Sequence, residues 1–126
     1  LAYLVKAIKQ GITYQIYGYK GKQVRDNIHA YDLVNAFYHF YLKPRPGEVY
    51  NIGGGRFANV SILEAIAKIE NVLGQKAKVE YVDQPRSGDH MWYISDVSKF
   101  KRHYPKWDFT YDIDQTIEAI CKYSPE

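Results

Sequence analysis

The chain has 126 residues, 46% of them hydrophobic and 25% charged, which suits one globular domain with a buried core. Seventeen basic against fourteen acidic residues leave a net charge of +3, too small an excess for a nucleic-acid surface. Lys, Gln, Asp or His cuts every apolar run short of bilayer thickness, so no membrane-spanning helix is expected.

In chain order, Leu1 to Gln10 reads as an amphipathic helix already under way, with Gly11 as its terminator and no capping residue before it. That opening, with Met91 as the only methionine, leads us to expect a carboxy-terminal fragment of a longer protein that starts in an amphipathic helix rather than a signal peptide. Ile12 to Tyr17 is β-branched and aromatic and predicts a strand. A glycine-rich basic turn, Gly18 to Lys22, leads into an extended stretch, Gln23 to His29. From Tyr31 to Lys43, Leu33, Val34, Phe37, Phe40 and Tyr41 share one helical face, and Pro44-Arg45-Pro46-Gly47 stops that helix. Glu48 to Ile52 predicts a short strand before Gly53-Gly54-Gly55.

Ser61 and Glu64 have the spacing of a capping box for a helix with Ile62, Ile66, Ile69 and Leu73 inward and Gly74 as terminator. Lys78 to Val82 alternates as a strand, and Gln84 to Tyr93 is a polar loop. Asp96 is expected to cap a short helix through His103, stopped near Pro105. A last helix, about Asp112 to Tyr123, turns Ile113, Ile117 and Ile120 inward, with Cys121 in the same stripe as a small core residue. A single cysteine excludes an internal disulfide and leads us to expect a cytoplasmic protein. The thirteen tyrosines recur at helix or strand spacing and are expected to fill a core or its rim. Residues 1–126 thus read as one small mixed α/β layer, with about three short strands and four to five helices, that leans on something larger.

The glycine run at 53–55 follows a predicted strand and precedes a helix, but it fails as a dinucleotide loop. Ala58 stands where a third glycine is needed, and the helix starts too late for its amides to reach a pyrophosphate held there. A turn with positive backbone angles is expected instead. No tyrosine is followed four residues later by lysine, none of the four histidines stands beside a nucleophile, and no metal-ligand spacing occurs. No catalytic, cofactor-binding or metal-binding residue is therefore expected in this chain. Two arginine motifs remain, Gln23-Val24-Arg25-Asp26-Asn27-Ile28-His29 and Arg86-Ser87-Gly88-Asp89. Two guanidinium forks suit a diphosphate, and a carboxylate beside them suits sugar hydroxyls. Either arginine alone would equally serve a surface ion pair, Arg25 with Asp26 for instance.

Ile16 to His29 with Asp32-Leu33, then Val49-Tyr50-Asn51-Ile52-Gly53-Gly54-Gly55 with Ser61 and Glu64, then Arg86-Ser87-Gly88-Asp89 with Ser95-Asp96, resemble in order the extended short-chain dehydrogenase/reductase superfamily. Within it, Gly18 to His29 and Gly88-Asp89-His90 look most like the CDP-tyvelose (CDP-paratose) 2-epimerases. Asn27 departs from the aromatic residue of many UDP-galactose epimerases. The resemblance implies the carboxy-terminal, substrate-binding domain of an NAD-dependent nucleotide-sugar epimerase, with NAD and a Tyr-x-x-x-Lys pair in an amino-terminal Rossmann half. By itself the chain is then expected to be inactive and not to bind NAD tightly.

The resemblance makes Arg25 and Arg86 diphosphate ligands, Asp89 a ribose contact, Tyr17 an aromatic residue near the base, and Gln23 and Asn27 substrate-wall residues. The implied partner is a nucleotide-diphosphate sugar, a CDP-sugar within the branch named, and the full-length protein is expected to be a homo-oligomer. A 4,6-dehydratase or a reductase is the alternative within the fold. A free-standing nucleotide-sugar binding module is the alternative of another class.

Overall fold

The computed structural model describes residues 1–124. Its helices are α1 (Ala2–Lys9), α2 (Ala30–Leu42), α3 (Ile62–Leu73), α4 (Ser98–His103) and α5 (Ile113–Tyr123). Its strands are β1 (Tyr14–Tyr17), β2 (Val24–Asp26), β3 (Asn59–Ser61), β4 (Val79–Val82) and β5 (Trp92–Tyr93). The small mixed α/β layer expected from the sequence is what forms, with five short strands rather than about three. Strand β2 falls within the stretch read as extended, and β3 and β5, unforeseen, are two or three residues long, too short to show a period of their own.

Helix α3 begins at a reciprocal capping box. Ser61 Oγ accepts from Glu64 N, and the Glu64 carboxylate accepts from Ser61 N. Asp112 and Gln115 cap α5 in the same way. Asp96 stands one residue before the first cap position of α4 and accepts from Ser98 N at 2.9 Å. Leu4, Val5 and Ile8 of α1, Ile16 of β1, Ile66 and Ile69 of α3, and Ile117 and Cys121 of α5 form one core. Burial raises the Cys121 thiol pKa, as befits a packing residue rather than a nucleophile.

A second core joins Ala36 of α2 to Phe100, Tyr104 and Trp107. Asp32 organises it while fully buried, at 0% exposure. Its carboxylate accepts from Thr110 N and Tyr111 N at 2.9 and 3.1 Å, and its carbonyl accepts from Trp107 Nε1. A buried carboxylate needs such donors to offset its lost hydration.

Helix α2 departs from expectation in what it buries. Asp32 and Ala36, one turn apart, face the core, while Val34, Phe37 and Tyr41 of the predicted apolar stripe are exposed, Tyr41 at 77%. Periodicity reveals that a face is apolar, not what covers it. Residues 48–52, predicted as a strand, pair with no strand among the described residues, and Val49 is exposed. Without ladder partners the extended segment is not a strand.

Two small sheets position the rest. Strands β1 and β4 pair in parallel, Tyr14 opposite Val79 and Tyr17 opposite Val82. Strand β2 lies between β3, antiparallel, and β5, parallel. Parallel pairing brings the carboxy-terminal ends of β1 and β4 together, so the turn after Tyr17 meets the loop after Val82.

Candidate functional site

The turn after β1 is shaped by Gly18, whose φ of +64° and ψ of −175° suit only glycine. A Cβ at Gly18 would lie 2.7 Å from the Pro85 backbone, so the loop carrying Arg86 packs directly on this residue. Tyr19 and Lys20 follow with φ near +50°, an uncommon conformation for side-chain-bearing residues, held by bonds at both. Tyr19 Oη donates to the Asp89 carbonyl, and Tyr81 Oη accepts from Lys20 N, each at 3.1 Å.

This arrangement brings Arg25, Arg86 and Asp89 to one cleft of about 160 Å³, lined also by Tyr17 and Gln23. The Arg25 guanidinium donates to Asp89 Oδ1, the His90 carbonyl and its own Val24 neighbour's carbonyl. The Arg86 guanidinium lies over the Tyr17 ring, 4.5 Å from its centroid, a cation–π contact that leaves its N–H edge free to bond elsewhere. Burial raises the Tyr14 phenol pKa beside it, and the Arg86 charge partly offsets that rise.

Gln23 is 8% exposed; its Nε2 donates to the Tyr17 carbonyl, but its buried Oε1 finds no partner among the described residues. A buried acceptor without a partner is costly, and this one, beside the cleft, is the one unsatisfied buried polar group among the described side chains.

Two expectations change. Arg25 pairs with Asp89, not with Asp26, because strand neighbours point to opposite faces. Asp26 instead accepts from Gly55 N and Ser95 N at 2.9 and 3.0 Å. Asn27, expected in the substrate wall, does not line this cleft: β2 has ended, and its amide donates back to the Arg25 carbonyl at 3.3 Å.

The glycine run is a packing device. A Cβ at Gly53 would lie 2.3 Å from Ser95 Oγ and one at Gly54 2.4 Å from the Asn27 carbonyl, so neither glycine opens onto free space. Only Gly55 of the three has the positive φ expected of the turn, and its amide is already given to Asp26. These residues do not fit a dinucleotide pyrophosphate. A larger depression of about 610 Å³ includes Gly55, Arg56, Trp92 and Lys101, on the face of β2 to which Asp26 turns. Its Lys101 is paired with Asp108.

Residues 1–53 match the NAD dependent epimerase/dehydratase family. The chain is 34% identical over 112 residues to a dTDP-glucose 4,6-dehydratase of Haemophilus influenzae, covering 88% of this chain and 30% of that protein. It is 29% identical over 122 residues to a UDP-glucuronate 4-epimerase of Thermodesulfobacterium geofontis, covering 97% and 36%. The structure of the Bacillus cereus UDP-glucuronic acid 4-epimerase with UDP-glucuronic acid and NAD superposes with a TM-score of 0.84 at 25% identity, over 98% of this chain and 39% of that one. The chain thus spans about a third of the curated relatives it matches, and the shared fold is that of their carboxy-terminal portion.

Proposed function

We propose that this chain, whose sequence and fold are those of the nucleotide-sugar epimerases and dehydratases of the extended short-chain dehydrogenase/reductase superfamily, binds the diphosphate of a nucleotide sugar between Arg25 and Arg86. The observation that carries the reading is the shared cleft: two arginines far apart in sequence line it together with a carboxylate and a buried, unpartnered acceptor. A diphosphate concentrates negative charge, and two planar forks meet it from two sides. Arg86 is already held flat on Tyr17, so little of its freedom is lost on binding. Arg25 exchanges its Asp89 partner for phosphate. The freed Asp89 carboxylate then accepts from the ribose hydroxyls.

In the whole protein this cleft holds the substrate of an NAD-dependent epimerase acting on a nucleotide sugar, of the CDP-tyvelose type, with the nicotinamide cofactor bound outside the described residues. The wording of the two arginine motifs supports that branch. The dehydratase relatives keep a 4,6-dehydratase as the second reading. The role of this chain is the same in both: to bind and orient the nucleotide diphosphate.

The test is calorimetric titration of the protein with a nucleoside diphosphate. Arg25→Ala and Arg86→Ala should each lose about 1.5–3 kcal/mol of binding, roughly ten- to hundredfold, with the fold intact. Unchanged affinity in both variants would refute the proposal.

A further inference from the structure

The phosphate cleft has a neighbour. A second cleft, of about 410 Å³, shares Tyr14, Gln15, Tyr17 and Arg86 with it and is closed by Tyr3 and Glu80. The Tyr17–Arg86 stack is therefore a wall common to both. Gln15 and Tyr17 alternate onto one face of β1, about 7 Å apart, the scale of a nucleoside between its phosphate and the edge of its base. Gln15 stands directly opposite Glu80 in the β1–β4 register. A hydrogen-bonded row results: Tyr17 Oη donates to Gln15 Oε1, and Gln15 Nε2 donates to Glu80 Oε2 at 3.2 Å.

Glu80 forms no ion pair among the described residues. An uncompensated carboxylate beside a diphosphate site repels phosphate, so the part of the ligand that reaches it must present neutral donors. We propose that Glu80 selects the base of the bound nucleotide, and that it selects one whose edge carries an exocyclic amine next to a ring-nitrogen acceptor. The proposal rests on the diphosphate reading above.

The chemistry is direct. A carboxylate only accepts hydrogen bonds, while the second N–H of the Gln15 amide can still donate. Side by side, the two offer an acceptor and a donor. Cytosine presents the complement, an amine beside a ring nitrogen, as does adenine. Uracil and thymine place a carbonyl oxygen where the amine stands, facing the Glu80 carboxylate. Tyr3, which lines the cleft and is 62% exposed, supplies an aromatic face along which a base can lie.

The experiment titrates the 126-residue chain and its Glu80→Ala and Glu80→Gln variants with CDP, ADP, UDP, dTDP and inorganic pyrophosphate. Glu80→Ala removes the acceptor. Glu80→Gln keeps the shape but offers donor and acceptor alike, so it covers any disturbance of β4 by alanine. CDP or ADP, and the pair tells a pyrimidine site from a purine one, should bind the native chain about tenfold or more tightly than UDP and dTDP. Both variants should close that gap without weakening pyrophosphate, whose affinity should hold or rise as the repelling charge is removed. UDP or dTDP binding as tightly as CDP and ADP, or a preference that survives in both variants, overturns the role of Glu80 alone. Failure of every diphosphate, pyrophosphate included, to bind overturns the diphosphate reading, and this inference with it.

Discussion

At the scale of single residues, the cleft depends on a backbone contact as much as on its charges. Gly18 has a left-handed φ and touches the Pro85 backbone, one residue before Arg86. Gly18→Ala meets both obstacles and should destabilise the fold by about 1 kcal/mol or more. It should also weaken nucleotide binding beyond that loss, because the loop it displaces carries Arg86. A Gly18→Ala protein with native urea midpoint and native affinity would contradict the packing account. Asp32 offers a contrast: buried and remote from the cleft, it holds two backbone amides. Asp32→Ala leaves both without their acceptor and should cost about 2–5 kcal/mol, read as a lower denaturation midpoint. Nucleotide affinity of the folded fraction should hardly change.

At the scale of elements, helices α1, α3 and α5 and strands β1 and β4 were legible in the sequence because their apolar spacing, glycine stops and capping pairs are local signals. Strands β3 and β5 were not, since each owes its existence to β2 between them. The two arginines were visible as charged motifs. The partner of Arg25 was not, because Asp89 reaches it only through the turn of the Arg86 loop. Gln15 and Glu80 carried no signal at all: a polar pair across two strands emerges only from register.

The capping box of α3 also gives a pH prediction. Bonds from the Ser61 hydroxyl and amide hold the Glu64 carboxyl pKa below its ordinary value. A depressed folded pKa contributes stability that is present at neutral pH and is lost as pH falls through that lowered value. Glu64→Gln should therefore flatten the acid side of the stability profile between the ordinary and the lowered pKa. An unchanged slope there would show that the box does not act through charge. Ser61→Ala should cost about 1 kcal/mol at neutral pH.

At the scale of the whole molecule, the exposed apolar face of α2 is the feature that the described residues leave uncovered. Val34, Phe37, Tyr38, Tyr41 and Leu42 all lie on the surface, with Val49 exposed as well. Contiguous apolar surface of this kind drives association. The chain by itself should self-associate as its concentration rises, and sedimentation should show the average mass climbing; a clean monomer at millimolar concentration would count against it. Phe37→Glu with Tyr41→Glu should abolish the association without touching the cleft of Arg25 and Arg86, which lies on β1, β2 and the Arg86 loop.

In the proposed complex Arg25 exchanges Asp89 for phosphate while Arg86 stays on Tyr17, and a crystal structure of the chain with a nucleoside diphosphate tests this directly. Phosphate oxygens should lie within hydrogen-bond distance of both Arg25 and Arg86, with the Asp89 carboxylate moved from the Arg25 guanidinium onto the ribose hydroxyls. A nucleotide bound elsewhere, with the Arg25–Asp89 pair intact and Arg86 untouched, would contradict it.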